Sequence, residues 1–297
     1  MLGPGSVVGF VGTGVMGAPM AGHLMDAGFR LRVFNRTKAK AASLLERGAV
    51  WCETPGDVAD GADAVITIVG YPADVEDLYL SDGGLVERAG EGCILIDMTT
   101  STPSLAGRIA VAASARGVLA LDAPVSGGDV GARDAKLTIM VGGDPEAFAS
   151  AEAMLRVMGP NVVLQGGPGA GQHTKMANQI AIADTIVGVC EALAYAEAAE
   201  LDPQLVLDSI GAGAAGSWQL ANYAPRMLRG DFAPGFFVKH FVKDMRIARD
   251  EADAMGIALP GLRLALELFE ALARRGDEDR GIHALYLLYK ERGVPRG

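Results

Sequence analysis

Cysteine is scarce in this chain: three among 297 residues, Cys52, Cys93 and Cys190, far apart and in no C-x-x-C pair. An odd, scattered set excludes a disulfide framework and a cysteine zinc site, and it suits a reducing, cytoplasmic setting. Histidine is almost as scarce, four residues with no ligand cluster, so no metal centre is expected. Basic charge is outweighed, 26 Lys and Arg against 36 Asp and Glu, for a net charge of −10. A chain of that sign is not built to hold polyanions, so no nucleic acid and no membrane surface is expected as partner, and any anionic ligand must be gripped by local groups. No basic region followed by a long apolar run opens the sequence, which argues against a secretory signal. The most apolar long stretch, about 180–199, is broken by Asp184, Glu191 and Glu197, which argues against a membrane span.

What is there is an alternation. From residue 6 to about 165, β-branched runs such as Ser6–Val11, Leu31–Phe34, Ala64–Val69, Cys93–Asp97 and Leu119–Asp122 alternate with Ala-rich helical stretches such as Pro19–Ala27, Ala39–Arg47 and Leu105–Arg116. That is the pattern of βαβ units around a parallel sheet, and Lys136–Val141 followed by Glu146–Met158 extends it. Beyond Gly171 the pattern is helical to about Leu288, punctuated by Asp202-Pro203, Gly211–Gly216, Phe232–Gly235 and Leu259-Pro260-Gly261. The fold expected is an α/β Rossmann-type parallel-sheet domain, residues 1–166, followed by an all-α C-terminal domain, residues 167–297. Four glycines in Gly166–Gly171 mark the seam.

Between the first strand and the first helix stands Gly12-Thr13-Gly14-Val15-Met16-Gly17, a G-x-G-x-x-G turn. Its first glycine permits the tight turn, its second lets backbone approach a pyrophosphate, and its third lets the helix pack on the strand, with the helix N-terminus favouring the anion. About 20 residues on, a dinucleotide site for NAD carries an Asp or Glu for the ribose hydroxyls. Here Asn35, Arg36 and Thr37 stand instead, in a stretch where Arg30, Arg32, Arg36, Lys38 and Lys40 meet no acidic residue. A guanidinium and a hydroxyl suit a 2′-phosphate, so NADP is the expected cofactor with NAD possible, although a solvated basic turn would read the same way.

Two further segments carry chemistry. In Asp122-Ala123-Pro124-Val125-Ser126-Gly127-Gly128 the Ser126 hydroxyl and the Gly127 and Gly128 amides can hold a carboxylate, or simply form a turn. The serine lacks the G-x-S-x-G setting of a nucleophile. In Gly171-Gln172-His173-Thr174-Lys175-Met176-Ala177-Asn178-Gln179, Lys175 shares a helix face with Asn178 and Gln179. A lysine entering so apolar a helix is costly unless it is paired or working, or snorkels to solvent, so Lys175 is the candidate general acid/base. His173, two residues earlier, is off that face and is expected to cap or pack; His240 is a weaker rival near Lys243. Trp218, after the glycine-rich Gly211–Gly216, and Phe236 either shape a substrate pocket or serve the core.

Taken together, Gly9–Gly17, Asp122–Gly128, Gly169–Gln179 and Lys243-Asp244 resemble, in order and spacing, the β-hydroxyacid dehydrogenase family of 3-hydroxyisobutyrate dehydrogenase, tartronate semialdehyde reductase and the glyoxylate/succinic semialdehyde reductases. The resemblance implies a long interdomain helix, a homodimer or homotetramer, and NAD(P)-dependent interconversion of a small carboxylate substrate, a short hydroxy acid, with its aldehyde. It assigns Lys175 to catalysis, Ser126 and Gly127 to the substrate carboxylate, Lys243 to the cofactor, Thr99 to a hydroxyl near the nicotinamide and Val69 to a loop over it. Where some relatives carry a second asparagine that contacts substrate, this chain has Gln179. A catalytically silent dinucleotide sensor and an imine reductase share the architecture. The intact Ser126, Lys175 and Asn178 disfavour the first, and Lys175 itself disfavours the second.

Overall fold

The computed structural model describes residues 1–292, which divide into two compact units, Met1–Lys175 and Met176 onward. The first carries β1 (Val7–Val11), α1 (Gly17–Asp26), β2 (Arg30–Phe34), α2 (Ala42–Glu46), β3 (Val50–Trp51), β4 (Ala64–Thr67), α3 (Pro72–Leu80), α4 (Leu85–Arg88), β5 (Ile94–Asp97), α5 (Pro103–Ser114), β6 (Leu119–Asp122), β7 (Val125–Ser126), α6 (Gly128–Arg133), β8 (Thr138–Gly143), α7 (Pro145–Leu155) and β9 (Asn161–Gly166). Among the described residues these nine strands form one sheet in the order β3-β2-β1-β4-β5-β6-β8-β7, with β9 on β8. β1 to β6 pair in parallel, and the strand order reverses at β1, where an open α/β sheet leaves its ligand crevice.

The central strands β1, β4 and β5 are apolar on both faces because both faces are covered. β4 and β5 are buried at every position. Alternate side chains go to opposite cores: Ile66, Ile94 and Ile96 join Phe10, Val33 and Met20 on one side, while Val65 and Leu95 join Val58, Tyr79 and Ile109 on the other. Lys136–Val141 and Glu146–Met158, expected to extend the parallel pattern, do so as β8 and α7, with β9 parallel to β8, but β8 itself runs antiparallel to β6. The reason is the connection, which holds only the two-residue β7 and the six-residue α6 in place of a full crossover helix.

α8 (Ala170–Ala198) is a single helix of 29 residues. The sequence pattern puts the domain boundary at 166/167; the compact units divide at Lys175/Met176, so the first turns of α8 pack as part of the sheet domain. The second unit is helical: the rest of α8, then α9 (Pro203–Gly211), α10 (Trp218–Asn222), α11 (Ala224–Leu228), α12 (Val238–Ala254), α13 (Pro260–Leu272) and α14 (Tyr286–Arg292). α12 turns Phe241, Met245 and Ala248 inward at helical spacing, and Phe241 meets Phe269 of α13 edge-on at 5.0 Å.

Candidate active site

The glycine-rich turn follows β1. A Cβ on Gly12, whose φ is +98°, would lie 2.1 Å from the Ile68 carbonyl oxygen, and one on Gly17 would lie 1.8 Å from that of Gly12. Both positions are closed to a side chain by the fold itself. A Cβ on Gly14 would meet nothing within 4 Å, so its glycine answers to no packing demand within the chain. Thr13 is buried, its amide donating to Asn35 Oδ1 at 3.0 Å, while its Oγ1 has no hydrogen-bond partner among the described residues. Val15 is exposed and Met16 is half-buried at the N-cap of α1. An open backbone at the helix start beside an orphaned buried hydroxyl fits a dinucleotide pyrophosphate.

At the end of β2, Asn35 also donates to the Thr37 carbonyl oxygen at 3.0 Å, so its carboxamide ties the turn to the strand end. Arg36 reaches outward, its side chain 88% exposed and 3.9 Å from Asp74; Thr37, Lys38 and Lys40 are exposed beside it. No carboxylate occupies the strand-end position.

Around the ends of β4, β5 and β6, one hydrogen-bonded web assembles four of the expected site elements. Asp97, at the end of β5, accepts from Thr67 Oγ1 at 2.8 Å and from the Thr99 amide at 3.1 Å. Thr99 Oγ1 accepts from the Val69 amide at 3.0 Å, so Val69 and Thr99 are fixed together. Gln172, fully buried in α8, donates to the Thr99 carbonyl oxygen at 2.8 Å and accepts from the Ser101 amide at 2.9 Å. One turn further along, Lys175 is 6% exposed and donates from Nζ to the Val125 carbonyl oxygen at 2.8 Å. That carbonyl immediately precedes Ser126, half-buried on β7, and Gly127 and Gly128, whose φ values of +130° and +62° are open to glycine. Lys175 Nζ is thus joined directly to the segment that carries Ser126, Gly127 and Gly128.

Burial governs the titration of two carboxyls here. Asp97 is pushed up to about 6 chiefly by desolvation, partly offset by its hydrogen bonds from Thr99 and Thr67. Asp122, which faces Asp97 in the β5–β6 register, is raised for the same reason and pulled back by backbone amides of Gly169, Gln172 and Gly171.

The second unit holds a polar cluster of its own residues. Gln179, 1% exposed, accepts from Asn178 Nδ2 at 2.8 Å and donates to Asp244 Oδ2 at 2.6 Å; Lys243 Nζ lies 2.8 Å from Asp244 Oδ1. His240 is half-buried beside it, its pKa lowered by burial and then by Lys243. Trp218 and Phe236 are not gathered there: Trp218 is 56% exposed and meets Tyr223 edge-on, and Phe236 packs on Phe241. His173 is exposed on the first turns of α8. Sequence reasoning did not single out Asp97, Gln172 or Asp244 as site-forming, nor the separate part played by Asp122. The available signal was a polar residue at an apolar strand or helix position, as at Asp97 and Gln172.

Comparison with known proteins identifies the family. Residues 7–167 match the family model described as the NAD-binding domain of 6-phosphogluconate dehydrogenase, and residues 169–289 match that of NADP-dependent 3-hydroxyisobutyrate dehydrogenase. An uncharacterized oxidoreductase of Bacillus subtilis is 54% identical over 95% of this chain and 98% of its own length. An Arabidopsis thaliana protein named 3-hydroxyisobutyrate dehydrogenase-like 1 is 47% identical over 94% of this chain and 84% of its own. Among solved structures, Mycobacterium tuberculosis 3-hydroxyisobutyrate dehydrogenase with L-serine superposes with a TM-score of 0.88 at 29% identity, covering 96% of this chain and 99% of that one. This chain belongs to the β-hydroxyacid dehydrogenase family and is an NAD(P)-dependent hydroxyacid dehydrogenase.

Proposed function

We propose that the protein interconverts a short β-hydroxy acid and its semialdehyde, prefers NADP(H), and uses Lys175 as the general acid/base. The observation that carries this reading is the buried Lys175 ammonium held 2.8 Å from the carbonyl oxygen that precedes Ser126. Holding a lysine at 6% exposure costs desolvation, which suits a working group better than a stabilising one.

A bound nicotinamide supplies the hydride in reduction and takes it in oxidation. The turn Gly12–Gly17 would hold its pyrophosphate, and Val69 and Thr99 its nicotinamide end. The remaining work falls to the chain. The Ser126 hydroxyl and the Gly127 and Gly128 amides grip the substrate carboxylate, fixing the reacting carbon. Lys175 Nζ donates a hydrogen bond to the aldehyde oxygen and passes its proton to that oxygen as alkoxide charge develops, leaving a neutral amine. In oxidation the neutral amine takes the hydroxyl proton. Val125 holds Nζ at the loop throughout.

Two lines support the substrate and cofactor. The solved relative is a 3-hydroxyisobutyrate dehydrogenase and was captured with L-serine. Both molecules present a primary alcohol on the carbon β to a carboxylate, which matches a carboxylate loop adjoining a proton donor. For the cofactor, the exposed Arg36 guanidinium with Thr37 at a strand end lacking a carboxylate suits a 2′-phosphate.

A panel of short semialdehydes with NADPH and NADH, run on the wild type and on Lys175→Ala, tests the reading. The expected result is turnover with NADPH that the substitution lowers by about 100-fold or more, to a small residual rate, while cofactor binding stays nearly intact. A variant retaining more than about a tenth of the rate falls outside the range of a general acid–base group and overturns the role of Lys175.

A further inference from the structure

Most helices here that begin with a side-chain cap find it next door. Thr102 caps α5, Asp144 caps α7 and Asp202 caps α9, each accepting from amides two or three residues ahead. α8 is preceded by Gly166-Gly167-Pro168-Gly169, which offers no such side chain. Its first amides are satisfied from 47 and 50 residues away: Asp122 Oδ1 accepts from the Gly169 amide at 2.7 Å and Oδ2 from the Gln172 amide at 2.8 Å. Both carboxylate oxygens are used, and Asp122 is only 4% exposed.

We propose that Asp122 is a positioning residue for Lys175, setting the start of α8 against the carboxylate loop so that the ammonium meets the Val125 carbonyl. This rests on the reading of Lys175 as the proton donor. Asp122 ends β6 and Val125 begins β7, three residues on; Gln172 and Lys175 lie three residues apart in one helix turn. The two bonds between these pairs, carboxylate to helix amide and ammonium to loop carbonyl, close a ring of short, stiff segments. A displacement at one bond is transmitted to the other.

The packing leaves the carboxylate no freedom to drift. A Cβ at Gly142 would stand 2.6 Å from Asp122 Oδ1 and 2.6 Å from the Gly171 nitrogen, and one at Gly171 would stand 2.8 Å from Asp122 Oδ2 and 2.4 Å from the Met140 carbonyl oxygen. Backbone therefore approaches the carboxylate from both sides. A local Asp or Ser would cap the helix equally well but would leave it untied to the loop that carries Ser126.

The test is Asp122→Asn, alone and combined with Lys175→Ala. An asparagine retains one acceptor oxygen but turns an N–H₂ toward the second helix amide, so one cap bond is lost at nearly constant size. The expected result is a kcat lowered by about 10- to 100-fold, the scale of a misplacement near 1 Å, with cofactor Kd changed less than about twofold. In the Lys175→Ala background the same substitution should cost less than about twofold, because the group it positions is gone. A kcat within about twofold of wild type in a folded Asp122→Asn protein overturns the proposal. So does an equal loss in both backgrounds, which would mark a general structural role. If Asp122→Asn does not fold, Asp122→Ser, smaller and still an acceptor, is read by the same criteria; failure of both to fold makes Asp122 a determinant of the fold and overturns the proposal too. Retention of activity by Lys175→Ala on its own sinks the reading of the lysine instead, so the two failures are told apart.

Discussion

Gln179 donates to Asp244 at 2.6 Å, and the bond gives the residue one turn after the lysine a second allegiance. The family resemblance puts a substrate contact at this position. In the second unit its carboxamide is a bridge: the oxygen receives Asn178, the nitrogen reaches Asp244, and Asp244 in turn pairs with Lys243. The extra methylene of glutamine supplies the reach.

Gln179→Asn should therefore be costly although the amide is kept. Withdrawing the donor leaves a carboxylate 2% exposed with one hydrogen bond fewer, worth about 1.5–3 kcal/mol for a charged acceptor. Urea denaturation of wild type and variant measures it. A difference below about 0.5 kcal/mol would mean that Lys243 alone satisfies Asp244.

The glycines of the nucleotide turn should separate into two kinds. Gly17→Ala forces a methyl to within 1.8 Å of a backbone oxygen, so its melting temperature should fall by several degrees or the protein should fail to fold. Gly14→Ala meets nothing within 4 Å and should keep its melting temperature within a degree or two, yet raise the dinucleotide Kd by about tenfold or more, since only a ligand competes for that space. Calorimetry and cofactor fluorescence titration read the two effects separately. Unchanged cofactor affinity in Gly14→Ala would remove the pyrophosphate from this turn.

How much of this was legible in advance depends on the range of the interaction. The parallel strands were visible because burial on both faces makes a short apolar run, and the turn at Gly12–Gly17 because its glycine requirements fall within six residues. Lys175 stood out as a single charge in an apolar helix. The long-range polar pairs did not. Asp122 and Gln172 meet across 50 residues and Gln179 and Asp244 across 65, and a carboxylate or amide that pairs at such range leaves no periodicity to read. The reversal of β8 was hidden for a related reason: strand direction is set by the connection, and α6 is too short to announce that it is no crossover.

Arg36→Ala should discriminate between the two cofactors. With the guanidinium 88% exposed, the substitution leaves the fold alone, and losing a charge-assisted contact to a 2′-phosphate should cost about 10- to 100-fold in kcat/KM with NADPH. With NADH the change should stay within about threefold, and raising the salt should shrink the wild-type preference. Equal losses with both cofactors would show that Arg36 does not read the phosphate.

Asp97 should make stability fall as pH rises through its titration. Burial raises its folded pKa to about 6, above an unfolded value near 3.9, so between those limits the folded state holds the proton more tightly. The stabilisation is therefore complete below about pH 4 and lost as pH climbs through 6, where the buried charge costs about 3 kcal/mol, an upper figure for a shift of this size. Asp97→Asn cannot ionise, and its oxygen can still accept from Thr67 Oγ1 and the Thr99 amide. Relative to wild type, the variant should thus gain stability between pH 4 and 7 and hold a constant difference outside that window. Urea denaturation at pH 4.5 and 7.5 measures the change. A wild-type-to-variant difference that is the same at both values would mean that Asp97 stays charged throughout, held by Thr67 and Thr99 more strongly than burial opposes it.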